Sequence, residues 1–170
     1  MDEQQPAPAE SAAAPVAIRF STHAEFGVHL RDCIGRARAM LQMFDPDFAV
    51  FHLGQAEMDG LLRKFLHDGG HLMMVMHSTK DIERNAPRFL TLLRDYNHRM
   101  EVRVTGRGLH HLTDSFCIAD HKHVVRRFHS DHMRGEAAFD DPAAVDVPGE
   151  RFTGIFAESQ PGLHAATTGL

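Results

Sequence analysis

The chain has 170 residues and a formal net charge of −5 at neutral pH, long enough for one domain with a substantial core and no disulfide or metal staple. The acidic balance excludes a general electrostatic pull toward nucleic acid or anionic lipid, so any such binding requires a local basic face. No stretch is apolar for long enough to span a bilayer. Cys33 and Cys117 lie far apart without a C-x-x-C partner, which predicts two buried thiols rather than a zinc or redox motif.

The opening MDEQQPAPAESAAAP is acidic and Ala/Pro-rich. It resembles neither a signal peptide nor a transmembrane start, and predicts a disordered tail over 1–15 on a cytoplasmic protein. One α/β domain is expected over 16–160, with a short C-terminal tail over 161–170. Val16 to Phe20 alternates as a strand. Thr22 with Glu25 forms a capping box for a helix carrying Phe26, Leu30, Cys33, Ile34 and Ala37 on one stripe and ending near Ala39. MLQMF is a buried strand stopped by DPD, because proline cannot donate to a ladder. Met58, Leu61, Leu62, Phe65 and Leu66 mark a second helix closed by DGG. The strand HLMMVMH follows, and Asn85 with Pro87 opens a third helix through Phe89, Leu90, Leu92, Leu93 and Tyr96.

MEVRVTG alternates at period two. DSFCIAD and HVVRRF read as a hairpin joined at Asp120 to Lys122. GEAAFDDPAAVDVPGE reads as a loop, and RFTGIFAES as a short closing helix packing Phe152, Ile155 and Phe156. The alternation argues for a mixed sheet flanked by helices. Met40, Met43, Met58, Met73, Met74 and Met76 fall in its core elements, where methionine fills irregular gaps.

The element order and several motifs resemble one half of a phospholipase D-like domain. ARAMLQMF, GGHLMMVMH and MEVRV occupy the places of that family's successive strands and lead-in helices. FDPDF, PRFLTLLRDYNHRMEVRVT, DSFCIADHKHVVRR and the ending TTGL are similar to a proteobacterial family of degenerate phospholipase D-like domains, some joined to acetyltransferase modules. The resemblance implies an H-x-K-x-x-x-x-D signature in which histidine attacks phosphorus and lysine holds phosphate oxygens. The matching segment is TDSFCIAD, with Thr113 for the histidine, Ser115 for the lysine and Asp120 for the aspartate. Threonine lacks an evident activating base, and serine brings no charge to a phosphodiester. No catalytic residue is therefore assigned. The resemblance also implies that single-motif chains pair, which makes a homodimer an expected partner arrangement.

Six of the fourteen histidines fall between His110 and His132. His121 and His123 would share a face if extended. His129 and His132 have i, i+3 spacing with Asp131 between them, a weak metal pattern beside the commoner solvated or hydrogen-bonded outcome. No metal and no cofactor is expected. From Arg99 to Arg134 there are seven Lys/Arg against four Asp/Glu, and Arg103, Arg126 and Arg127 are the anion-binding candidates, since a guanidinium fork suits phosphate. Arg126 and Arg127 point to opposite faces of a regular strand, so one can bind an anion while the other pairs with a carboxylate. The favoured reading is a non-catalytic phospholipase D-like module binding a protein partner or phosphate-bearing ligand through a remnant cleft, with nucleic acid left open and no membrane partner. One alternative is a divergent phosphodiesterase or nuclease using His110 or His111 as nucleophile and Arg126 or Arg127 as clamp. The other is a purely structural domain.

Overall fold

The computed structural model describes residues 16–164. The expected tail over 1–15 and the end of the expected C-terminal tail lie outside the described residues. Strand β1 (Ile18–Phe20) leads into α1 (His23–Arg36). The capping box is present: Thr22 Oγ1 accepts from the Glu25 amide, and Glu25 Oε2 accepts from the amides of Thr22 and Ser21. Phe26, Leu30, Cys33 and Ile34 form the buried stripe. The helix stops at Arg36 rather than near Ala39 because the Asp120 carboxylate takes the amides of Arg38, Ala39 and Met40 at 2.7–2.9 Å. Those residues become the lead into β2 (Met40–Phe44).

A 3-10 turn precedes α2 (Ala56–His67), which ends on Gly69 at φ 102°, a left-handed conformation that glycine adopts without a Cβ penalty. Strand β3 (His71–Met76) follows. A short helix with no counterpart in the sequence reading, α3 (Lys80–Asn85), comes before the expected third helix, α4 (Pro87–Asp95). They break at Ala86, where φ −127° and ψ 59° reflect the steric bar that Pro87 places on its predecessor. Strands β4 (Met100–Val104), β5 (Ser115–Ala119) and β6 (His123–Arg127) stand as expected, the last two joined by a tight turn with Asp120 and His121 at φ 52° and 57°.

The expected loop after Met133 is overturned. Gly135–Ala138 is strand β7, and Pro142–Ala157 is the helix α5. Asp141 caps α5 by accepting from the Ala144 amide, and Pro142 sits in the first turn, where its missing N–H costs nothing. Val145, Pro148, Phe152 and Ile155 form its buried stripe. Pro148 inside the helix gives up one backbone bond but is itself buried against the sheet, so packing offsets the loss. The chain continues past 160: β8 (Gln160–Pro161) pairs with β4, and the Gly162 amide donates to Val102.

The eight strands run β1-β7-β6-β5-β2-β3-β4-β8. β2, β3 and β4 are parallel, and every other pairing is antiparallel. One face, carrying Leu41, Met43, Met74, Val102 and Cys117, packs on α1, α2 and α4. The other, carrying Phe44, Val75, Phe116, Ile118 and Val124, packs on α5 through Phe152 and Ile155. Each large apolar side chain so buried contributes roughly 1.5–3 kcal/mol relative to exposure. Met43, Met58, Met74 and Met76 are core residues as expected, while Met40 and Met73 are half-buried. Cys33 and Cys117 are free and buried, and contact with the Cys33 thiol, then burial, pushes the Cys117 thiol well above its ordinary value.

Candidate functional site

Parallel strands place their C-terminal ends together, and here those ends carry Asp45 after β2, His77 after β3 and Thr105 after β4. The antiparallel hairpin delivers two more residues to the same end of the sheet, because its turn sets Ser115, the first residue of β5, opposite Arg127, the last of β6. Arg127 organises the centre. Its Nε donates to Ser115 Oγ at 3.1 Å, its Nη2 to Asp45 Oδ2 at 3.1 Å, and its Nη1 to the Ser130 carbonyl at 3.2 Å. Met133 Sδ lies 3.8 Å from the same Nη1. Asp45 also accepts from the amides of Asp47 and Phe48.

This cluster is sealed. Ser115 and Asp45 are 0% exposed and Arg127 4%. Burial pushes the Asp45 carboxyl above the ordinary carboxylate range, opposed by the Asp47 amide, Arg127 and the Phe48 amide. Ser115 therefore does not line an open cleft: the Arg127 guanidinium fills the space beside it and is paired with Asp45.

Beside it stands His77, which the sequence pattern did not single out. Its Nε2 lies 2.7 Å from the Leu112 carbonyl, which can only accept, so in the neutral ring Nε2 carries the proton and Nδ1 accepts from Thr105 Oγ1 at 2.6 Å. Burial lowers its pKa, against the Leu112 bond, which raises it, and the neighbouring His110 lowers it further. The signal available in the sequence was its place directly after a parallel strand, where open α/β sheets gather functional side chains.

The other candidates are distributed as follows. Thr113 is half-buried just before β5 and makes no side-chain hydrogen bond among the described residues. Asp120 is at the far end of β5, about 17 Å from Ser115 at a strand's rise per residue. Burial raises its pKa, but the amides of Met40, Ala39 and Arg38 together outweigh that and hold it low. His110 and His111 are exposed in the loop before β5, the His110 ring 4.9 Å from that of His77. Arg103 is committed to Glu101 at 2.8 Å and the Phe156 carbonyl at 2.9 Å, with its guanidinium 3.8 Å above the Phe156 ring. Arg126 faces the opposite side of β6 from Arg127, 3.8 Å from Glu136 and 5.3 Å from the Phe128 ring centre.

His121 and His123 do not share a face, because the left-handed turn at His121 breaks the alternation: His121 is exposed and His123 is buried, its Nδ1 accepting from the Asp140 amide. The His129 and His132 rings are 5.9 Å apart, and His129 Nδ1 accepts from the Asp131 amide. Among the described residues no group of three or more His, Cys, Asp or Glu stands at metal-holding distance.

A family model described as "Domain of unknown function (DUF7931)" matches residues 22–164. The chain belongs to this family. No curated protein matches it. Among solved structures, this DUF7931 chain is similar to TrmBL2, an archaeal chromatin protein, at 11% identity and a TM-score of 0.65, covering 91% of this chain and 57% of that one. It is similar to Nuc, a phospholipase D family member from Salmonella typhimurium, at 12% identity and 0.64, covering 88% and 99%. NucT from Helicobacter pylori gives 11% and 0.59, covering 86% and 99%. The DUF7931 chain thus has a phospholipase D-like α/β fold, and it spans little more than half of TrmBL2. Among its described residues no helix is long and apolar enough to cross a membrane.

Proposed function

We propose that this chain is a non-catalytic phospholipase D-like module that binds a phosphate-bearing ligand or partner on the surface around the sealed cluster of Ser115, Arg127 and Asp45. The observation that carries the reading is Arg127. A phosphodiesterase of this type needs an accessible nucleophile and a cation free to hold phosphate oxygens. Here the cation is buried, and its three nitrogens are spent on Ser115, Asp45 and Ser130. Thr113 beside it has no activating base among its described contacts.

The nuclease reading rests on His110, the exposed imidazole packed on His77. His77 cannot serve as its base without giving up the Leu112 or the Thr105 bond. Nucleic acid stays within the ligand class: TrmBL2 is described as showing a novel mode of DNA binding and shares the fold. A homodimer belongs to the same proposal, and light scattering over a concentration series checks it.

The deciding assay is turnover of bis(p-nitrophenyl) phosphate and of single-stranded DNA by the purified chain. No turnover is expected, with or without divalent metal. Turnover abolished by His110→Ala or His111→Ala would overturn the proposal in favour of the nuclease.

A further inference from the structure

At the free edge of the sheet a groove of about 470 Å³ lies over the paired β1 and start of β7, lined by Arg19, Phe20, Glu25, Phe128, Arg134 and Glu136 among others. Its charges are unevenly committed. Glu25 is consumed by the α1 cap, accepting from Ser21 at 2.8 Å and Thr22 at 3.1 Å. Glu136 faces Arg126 at 3.8 Å. Arg19 and Arg134, by contrast, make no side-chain hydrogen bond or ion pair among the described residues. Both carboxylates keep their charge but have their oxygens engaged, whereas among the described residues the donors of Arg19 and Arg134 are unengaged, so the groove offers two guanidinium forks to an incoming acceptor.

Its apolar side is equally specific. Phe128 is 48% exposed, unusual for so large an aromatic side chain, and it walls the groove. Arg126 lies behind its ring at 5.3 Å. Phe20 closes the floor and packs directly on Gly135, where a Cβ would collide with the Phe20 ring and with the Arg126 carbonyl. Two free guanidiniums beside an exposed aromatic face match a ligand that carries phosphate and a flat ring together. The volume falls in the range of small-ligand pockets, ~300–1,000 Å³.

We infer that this edge groove is a nucleotide site: the phosphate bonds to Arg19 and Arg134, and the base lies against Phe128. The inference gives the ligand class of the proposed binding module and rests on that reading only for the absence of turnover. Groove binding and phosphodiester turnover are separate measurements, so either can fail alone. The shared chemistry is a nucleoside phosphate, either free or at the end of a single strand.

The test is titration of the full chain with deoxyadenosine 5′-monophosphate, deoxyadenosine, inorganic phosphate and a short 5′-phosphorylated oligo-dA, followed by calorimetry and by amide chemical shifts. The expected result is that the monophosphate binds more tightly than deoxyadenosine or phosphate, and shifts the amides of Ser21, Phe128 and Gly135. Arg19→Ala and Arg134→Ala should each weaken it by about tenfold, the loss of one charge-assisted hydrogen bond. Phe128→Ala should abolish the preference for the nucleotide over phosphate, and Arg84→Ala, at an exposed arginine elsewhere, should change nothing. All four positions are exposed, and circular dichroism checks that each variant folds. Affinity that rises with oligonucleotide length assigns the source to single strands, and equal affinity assigns it to free nucleotides. Binding that survives both arginine substitutions, shifts confined to the histidine loops, displacement by an acidic peptide more readily than by nucleotide, or no binding at millimolar ligand would each overturn the inference.

Discussion

Replacing Arg127 by alanine tests whether the cluster of Ser115, Arg127 and Asp45 is held together by a buried charge. The substitution removes the partner of Asp45, whose side chain is 1% exposed, and strips Ser115 Oγ and the Ser130 carbonyl of their donor. Asp45 keeps only the amides of Asp47 and Phe48. Breaking a buried pair by removing one partner costs roughly 3–5 kcal/mol, a large part of the ~5–15 kcal/mol total of a domain. Urea unfolding followed by circular dichroism should show that loss as a lower midpoint at unchanged slope. The stranded carboxyl holds its proton more tightly when folded than when unfolded. Its contribution therefore favours the fold below the unfolded value of 3.8 and declines as pH rises through the raised folded value, so the deficit of Arg127→Ala should shrink on acidification. The double variant Asp45→Leu, Arg127→Met should recover only part of the loss, because it removes the stranded charge but leaves the Asp47 and Phe48 amides without their acceptor. A cost below about 1 kcal/mol, the value of an exposed pair, would refute the buried-hub account.

Asp120→Ala should cost about 2 kcal/mol in the same assay, since three backbone amides at the entry to β2 lose a charged acceptor; Asp120→Asn should cost less. Because Asp120 is held low, its contribution is present above the unfolded value of 3.8 and disappears as pH falls through the folded one. His77 and His123 are both lowered by burial, so the folded state favours their neutral rings: stability should be full above 6.5 and fall as pH drops below it, with a shallower fall in His77→Gln as read from midpoints at stepped pH. Gly135→Ala should destabilise by about 1–3 kcal/mol in thermal unfolding, because its Cβ would meet the backbone of Arg126 and not merely a flexible side chain.

Most of the elements were legible because their signals are local. The Thr22 and Glu25 box, the stripe from Met58 to Leu66 and the period of MEVRV each follow from a few neighbouring residues. The failures share a cause. GEAAFDDPAAVDVPGE reads as a loop, yet its Asp141 and Pro142 are a helix cap followed by a proline in the first turn, and only the spacing of Val145, Pro148, Phe152 and Ile155 separates the two readings. Pro148 obscured that spacing because it is a helix breaker whose cost is offset by burial, a tertiary fact. The short α3 has one buried residue, Ile82, and so no stripe to read.

The site was half legible, and the half that was missed explains the rest. A turn over Asp120 to Lys122 already fixes Ser115 opposite Arg127, and strand alternation already sends Arg126 and Arg127 to opposite faces. What the hairpin cannot tell is which arginine meets a carboxylate in the core, because the partner is 82 residues away in FDPDF. Asp45 reads there as a turn residue, and it is one: its Oδ1 accepts from Asp47 and Phe48. The second oxygen is what the sequence hides, and it determines the chemistry at this end of the sheet. A cation introduced next to Ser115 in a closed site is costly unless a carboxylate is waiting. Asp45 satisfies that condition only because β2 runs antiparallel beside β5 and ends level with the start of that strand. The register that sets Ser115 opposite Arg127 and level with Asp45 thus closes this end of the sheet around an internal ion pair instead of leaving a guanidinium open beside Ser115.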